Sequence, residues 1–297
     1  MFLAFKLERK LIKLAIKLLG GFAALRPVLR RIEVKFSNQS FLIKNEVDLY
    51  FKVNLPTRDY HVYRKLKSLS QSQCRQDLII GLINNWNPGV IIEVGATDGL
   101  LLSNSFLLEK YLGWHSILVE PCRSWQDSLK LNRTSSKLIF DAAFHTPNLS
   151  LPFTETEFAE LSGLSGALPK DYWSLERENS FQYSVNTTTL DLICDNFDCE
   201  GKFLTLTIDI EGGELDALRG FTRRVTSAGL LVIENNGNLD LIFSLDEILF
   251  NRGFVRLDWP FNSFDSWYLR QDLLENRVVL RRLIHDGVLN IKDPTSI

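Results

Sequence analysis

The decapeptide Val90-Ile91-Ile92-Glu93-Val94-Gly95-Ala96-Thr97-Asp98-Gly99 restricts the fold more than any other stretch of this 297-residue chain. Four of its first five residues are apolar, which predicts a strand covered on both faces, as parallel α/β sheets require. Gly95 and Gly99 let the backbone turn tightly beside a ligand. The leucine-rich run from Leu100 to Tyr111 predicts a helix, and Ser116-Ile117-Leu118-Val119 predicts a second strand ending in Glu120. A carboxylate at that point can accept hydrogen bonds from both hydroxyls of a ribose. Strand, glycine turn, helix, strand and acid make a βαβ unit built around a nucleoside.

Two nucleoside cofactors compete for such a unit. A dinucleotide needs Gly-x-Gly-x-x-Gly, because a helix N-terminus must approach the pyrophosphate without side chains in the way. The second and third glycines of that pattern are missing here, and Ala96 and Asp98 stand near the turn instead. A carboxylate there repels phosphate and suits a cationic sulfonium or an amino group. S-adenosylmethionine, positively charged and free of phosphate, therefore fits better than NAD.

Composition sets outer limits. With 45% hydrophobic and 24% charged residues the chain can bury a sizeable core, enough for one large domain plus extensions. Its net charge of −2 gives no sign of a nucleic-acid partner. Charge is uneven, however: residues 1 to 35 hold nine Lys or Arg against two Glu, a surplus of seven that leaves the remainder near −9. Such asymmetry points to an anionic surface met by one end only.

At 100° per residue Lys6, Arg9, Lys10, Lys13 and Lys17 fall within a sector of about 100°, with Leu3, Leu7, Leu11, Leu14 and Leu18 among the apolar residues of the remainder. Lysines recur too often for a transmembrane span, and interleaved charge without a small-residue cleavage site argues against a signal peptide. The segment reads as an amphipathic helix that lies on a membrane surface or packs on protein. Cys74, Cys122, Cys194 and Cys199 are scattered and read as free thiols of a reducing, cytoplasmic compartment. His61, His115, His145 and His285 show no metal-ligand spacing, and only His115 and His145 flank a cofactor-side segment.

Beyond Glu120 the alternation continues. Arg123 to Asn132 predicts a helix, and Lys137 to Phe140 a strand closed by Asp141, from which a carboxylate can reach the adenine amino group. Residues 146–186, with Pro147, Pro152, Pro169, Gly163 and Gly166, break the rhythm and read either as a mobile lid over the cofactor site or as an irregular surface loop. Thr189 to Phe197 predicts a helix. Lys202 to Ile208 is a strand that delivers Asp209-Ile210-Glu211-Gly212-Gly213-Glu214 to the edge where open α/β sheets place their ligands. The next strand, Gly229 to Ile233, ends in Glu234-Asn235-Asn236. Ser244 to Asn251 predicts a helix, and strands near 254–257 and 266–269 a closing hairpin.

Taken together these segments resemble FkbM-type methyltransferases, a class I S-adenosylmethionine-dependent family, over about Ser72 to Leu269. The resemblance rests on Ser72-Gln73-Cys74-Arg75-Gln76-Asp77, Glu93 to Gly99, Leu118-Val119-Glu120-Pro121, Thr188-Thr189-Leu190-Asp191, Ile208 to Glu214 and Ile233-Glu234-Asn235-Asn236. It implies a Rossmann-like, seven-stranded, mostly parallel sheet with its last strand antiparallel, and O-methylation of sugars or polyketide-like hydroxyls. One departure is Thr97, which stands where the family commonly has Asn.

The expected chemistry is limited: hold an acceptor oxygen in line with the methyl–sulfur bond, exclude water and take up the hydroxyl proton. The cofactor set is Glu93, Gly95, Thr97, Asp98, Gly99, Glu120 and Asp141, with Asp209 as base or acceptor-orienting acid and Glu211 second. A variant holds a divalent metal between Asp209, Glu211 and Asn235, although the same acids serve equally as caps of the following helix. Two alternatives stay open: a NAD-dependent oxidoreductase, and a non-catalytic membrane-associated binding protein on the same fold. The expected division is a basic amphipathic extension (1–35), N-terminal elements (36–71), a catalytic domain (72–270, with 146–186 inserted) and a tail (271–297). Expected partners are a small-molecule or glycan acceptor and, through residues 1–35, an anionic membrane surface.

Overall fold

The computed structural model describes residues 38–169, 174, 177–197, 199, 201–261 and 264–294; the basic extension 1–35 lies outside them. In chain order the helices are α1 (Asn38–Asn54), α2 (Thr57–Leu66), α3 (Gln76–Ile83), α4 (Phe106–Leu112), α5 (Arg123–Asn132), α6 (Leu190–Asn196), α7 (Glu214–Arg219), α8 (Leu239–Phe250) and α9 (Val278–His285). The strands are β1 (Val90–Val94), β2 (His115–Val119), β3 (Lys137–Ile139), β4 (Ala142–Ala143), β5 (Ser150–Thr156), β6 (Gly163–Leu164), β7 (Ser180–Thr188), β8 (Leu204–Ile208), β9 (Ala228–Glu234), β10 (Phe254–Asp258), β11 (Asp265–Arg270) and β12 (Asn290–Lys292).

The main sheet runs β12-β10-β11-β9-β8-β1-β2-β3. From β9 to β3 all neighbours are parallel, and β11 enters antiparallel between β9 and β10. Strand order reverses between β1 and β8, which makes the crevice at their carboxyl ends the switch point where such sheets bind ligands. The sheet has eight strands where seven were expected, because β12, from a tail without assigned chemistry, pairs with β10 at the edge.

Alternation along the central strands feeds two cores. Ile91 of β1 and Leu230 and Val232 of β9 face a core built with α1, α2, α3, α4 and α9. Val90, Ile92 and Val94 of β1 and Leu231 and Ile233 of β9 face another, built with α6, α7 and α8. Burial on both faces is why β1 reads as a nearly continuous apolar run; β8 alternates Leu and Thr but is likewise buried throughout. Residues 38–66 are thus helices that complete one core.

Two local expectations change. The helix expected from Leu100 begins only at Phe106, because the preceding segment is held as a loop by buried side chains below it. The stretch 146–186 forms most of a small antiparallel sheet in the order β7-β5-β6, with β4 joined in parallel to β7. Gly163 lies within a strand there; a Cβ on it would come 3.2 Å from the Ile210 carbonyl oxygen, so its smallness serves close packing.

Candidate functional site

The turn after β1 is fixed from three sides. Gly95 adopts φ +92, and a Cβ there would meet the Asp209 carbonyl oxygen at 1.8 Å. The N–H groups of Gly95 and Ala96 donate to the Val119 carbonyl at the end of β2, while Asp209 N–H donates to the Val94 carbonyl. Thr97, at φ +49, donates its N–H to Glu120 Oε2 at 2.8 Å and its hydroxyl to the Leu101 carbonyl at 3.1 Å. Asp98 is fully buried, and its Oδ1 accepts from the N–H groups of Leu100 and Leu101 at 2.9 and 2.6 Å. Its carboxylate closes the turn. Gly99, at φ +77, leaves room for Arg133, whose Cγ would lie 2.4 Å from a Cβ.

Glu93 and Arg133 form the floor. The Glu93 carboxyl accepts from Ser103 Oγ at 2.9 Å, from Asn104 N–H at 2.5 Å and from Ser105 Oγ. Burial raises its pKa against the opposing charge of Arg133. Arg133 donates to the Gly99 carbonyl at 3.0 Å and to Ser105 Oγ at 2.9 Å, and pairs with Glu109 at 2.7 Å. This network replaces the helical turn expected at 100–105, since a buried carboxylate must find donors and takes them from this segment.

Glu120 ends β2 and is itself buried, accepting from Thr97 N–H and, at 2.9 Å, from Cys122 N–H. Burial pushes its pKa up to about 7; the two N–H donors oppose this, and Glu155 and Asp209 add to it. Glu155, on β5 of the small sheet, accepts from Tyr183 Oη at 2.6 Å and from Ser124 Oγ, while Tyr183 Oη accepts Arg123 N–H at 2.9 Å. These contacts bind the small sheet to the start of α5, next to Glu120. Asp141 lies half-buried just past β3 on the same edge.

The loop after β8 gathers the remaining acids. Asp209 is open to solvent yet recessed among protein atoms, and this surrounding protein raises its pKa to about 7; Glu214, Asp265 and Glu93 add to the rise, and a hydrogen bond from Glu234 opposes it. Burial and the charge of Asp209 hold Glu234 well above the usual carboxylate range. Glu211, at φ +58, pairs with buried Arg177 at 2.5 Å; burial, then Asp209, pushes Glu211 up to about 8 against that pairing. Arg177 also donates to the Leu161 and Pro169 carbonyls, which ties the segment around the small sheet to this loop. Glu214 accepts from Ile210 and Gly212 N–H at 3.1 and 3.0 Å and so braces the loop. On β11 Asp265 is the register partner of Glu234 and accepts from Gln76 Nε2 at 3.1 Å.

The structure brings Glu120 and Asp209 to one edge with Glu211, holds Glu93, Asp98 and Glu214 beneath it, and adds Glu234, Asp265, Arg177 and Arg133. Asn235 does not face a metal: its amide donates to Ser266 Oγ and its Oδ1 accepts Gly237 N–H. Among the described residues no group of three or more His, Cys, Asp or Glu is placed to hold a metal ion. The four cysteines are buried and free, His115 sits at the opposite, amino end of β2, and His145 is exposed.

Strand order and acid-lined edge together define a Rossmann-like class I methyltransferase fold. The chain belongs to the FkbM methyltransferase family, whose profile, described as the methyltransferase FkbM domain, matches residues 93–256. Among solved structures it is similar to methyltransferase FkbM from Methylobacillus flagellatus KT, with 16% identity over 61% of this chain and a TM-score of 0.41. The chain spans 43% of that protein's length. It is also similar to the O-methyltransferase TomG from Streptomyces achromogenes, solved with SAM, with 14% identity over 75% of this chain and 94% of that one and a TM-score of 0.38. For the N-terminal domain of human METTL16 the identity is 11% over 66% of this chain and 69% of that one, with a TM-score of 0.35. No curated protein matches the chain.

Proposed function

We propose that the chain is an S-adenosylmethionine-dependent O-methyltransferase acting on a hydroxyl of a sugar, glycan or related metabolite. The observation that carries this reading is the meeting of Glu120, Asp209, Glu211 and Glu234 at the carboxyl ends of β2, β8 and β9, around a glycine turn that lacks the pattern for a pyrophosphate. The residues present fit a phosphate-free cation, since the guanidinium groups beside the acids are already paired, Arg177 with Glu211 and Arg133 with Glu109.

Bound S-adenosylmethionine supplies a methyl group that needs no further activation. Gly95, Thr97 and Gly99 would shape its methionine and ribose contacts, Glu120 would accept from the ribose hydroxyls, and Asp141 would accept from the adenine amino group. Glu93 and Asp98 support these residues from below by holding the turn. Asp209 orients the acceptor and takes its hydroxyl proton, an arrangement suited to a base whose pKa lies near 7. Glu211, held by Arg177, positions the loop beside it. The chain works in the cytoplasm, peripherally at a membrane surface through residues 1–35; among the described residues no helix is long and apolar enough to cross a membrane.

Calorimetry with S-adenosylmethionine and with its demethylated product tests the cofactor assignment, and methyl transfer from labelled donor into a fractionated glycan extract tests the acceptor. Heat of association with both compounds and label in glycan fractions are the expected results. Well-folded protein that binds neither compound would overturn the reading.

A further inference from the structure

Helix α1 turns Ile43, Val47 and Phe51 into the core and presents a second apolar stripe outward. Phe41, Leu42, Leu49 and Val53 are 58%, 43%, 62% and 71% exposed. At 100° per residue they fall within a sector of about 120°, over a length of about 18 Å. Large apolar side chains grouped on one helix face mark a contact surface.

The charges around the stripe say what covers it. Lys52 on α1 and Arg58, Arg64 and Lys65 on α2 are exposed, and α2 folds back along α1 through Tyr63 and Lys67, which both bond Asp48. Of the three acids on these two helices only Glu46 is exposed. Asp48 is taken by Tyr63, Lys67 and Arg75, and Asp59 accepts from Trp86 Nε1 at 3.1 Å. Exposed apolar side chains flanked by cations match an anionic lipid interface. A second copy of the chain fits less well, because a two-fold contact would bring these cations against one another.

We propose that the outer face of the α1–α2 pair docks on an anionic lipid surface, with Phe41, Leu42, Leu49 and Val53 entering the interfacial layer and Lys52, Arg58, Arg64 and Lys65 meeting the headgroups. The proposal extends the membrane reading of residues 1–35 to described residues and does not depend on methyl transfer.

Sedimentation of the full chain with phosphatidylcholine vesicles, with and without phosphatidylglycerol, tests it, alongside the double variant Leu49→Glu, Val53→Glu and a Leu131→Glu control at a position that is 80% exposed on α5. The wild type and the control are expected to sediment with the anionic vesicles and only weakly with the neutral ones. The double variant is expected to lose about tenfold in partitioning. A chain lacking residues 1–20 should bind more weakly but respond to the same substitutions. Unchanged binding by the double variant, or equal binding to both vesicles, overturns the proposal. So does a wild type that ignores vesicles but dimerises through this face. If removing residues 1–20 abolishes binding while the double variant binds normally, the N-terminal reading survives and this one falls.

Discussion

A Cβ atom on residue 95 would lie 1.8 Å from the carbonyl oxygen of Asp209, so the turn after β1 and the loop after β8 interlock through the side chain that glycine lacks. Gly95→Ala must therefore push the two loops apart while also adopting φ +92, a region that L side chains rarely adopt. The expected cost is on the order of 3 kcal/mol of folding stability, measurable by urea denaturation. Calorimetry should show donor binding lost in the protein that stays folded. An alanine variant as stable as the wild type would mean that the loops do not meet this way.

Thr97 gives the opposite prediction. It holds φ +49, a conformation that costs a β-branched residue more than it costs Asn, the residue common in the family at this position. Thr97→Asn keeps the N–H bond to Glu120 and relieves the backbone, so the variant should be more stable by about 1 kcal/mol. Thermal unfolding checks this: a lowered midpoint would show that the hydroxyl bond to the Leu101 carbonyl outweighs the relief.

The parts of the site that could be read in the sequence are those where a strand pattern stops at a glycine or an acid. Gly95, Glu120 and Asp209 each follow a predominantly apolar strand, so their place at one edge follows from the parallel sheet. The pairing of Asp209 with Glu234 is a matter of register, Ile208 lying beside Ile233, and no local pattern encodes it. Arg177 comes from a stretch without helical or strand period, and its partner Glu211 is 34 residues away. Helix α4 starts late because Glu93, thirteen residues earlier, takes the donors at 103–105, which no helix propensity registers. Strand β12 spans three residues, too few to show a period.

The acids of the edge set a pH dependence whose sign can be worked out. Glu120 and Asp209 rise from ordinary values of 4.5 and 3.8 to about 7, so between those limits the folded chain holds protons that the unfolded chain has released. Their contribution to stability is complete below the unfolded values and is lost as pH rises through about 7. The ligand-free protein should melt at a lower temperature near pH 8 than near pH 6, and Asp209→Asn should flatten that slope. A bound cation favours the ionised forms, so donor affinity should rise by about tenfold per coupled carboxylate over the same interval, with protons released on binding. Calorimetry in buffers of different ionisation enthalpy measures both. Affinity independent of pH would detach these acids from the donor.

The contact between Asp209 and Glu234 separates two ways an acid can serve this reaction. Glu234 is held well above the usual carboxylate range by burial and by Asp209, which favours the proton on Glu234 and leaves Asp209 as the group to accept one. Asp209→Asn keeps shape and loses basicity, and should lower kcat by about 10²- to 10⁴-fold. Glu234→Gln keeps a donor toward Asp209 and should leave kcat within about threefold of the wild type while shifting the acidic limb of the pH–rate profile. Glu234→Leu removes the donor, strands the Asp209 charge and should cost far more than the glutamine variant. The ordering matters more than the absolute rates: a glutamine variant as impaired as Asp209→Asn would make Glu234 the proton acceptor, and Asp209 the residue that positions it.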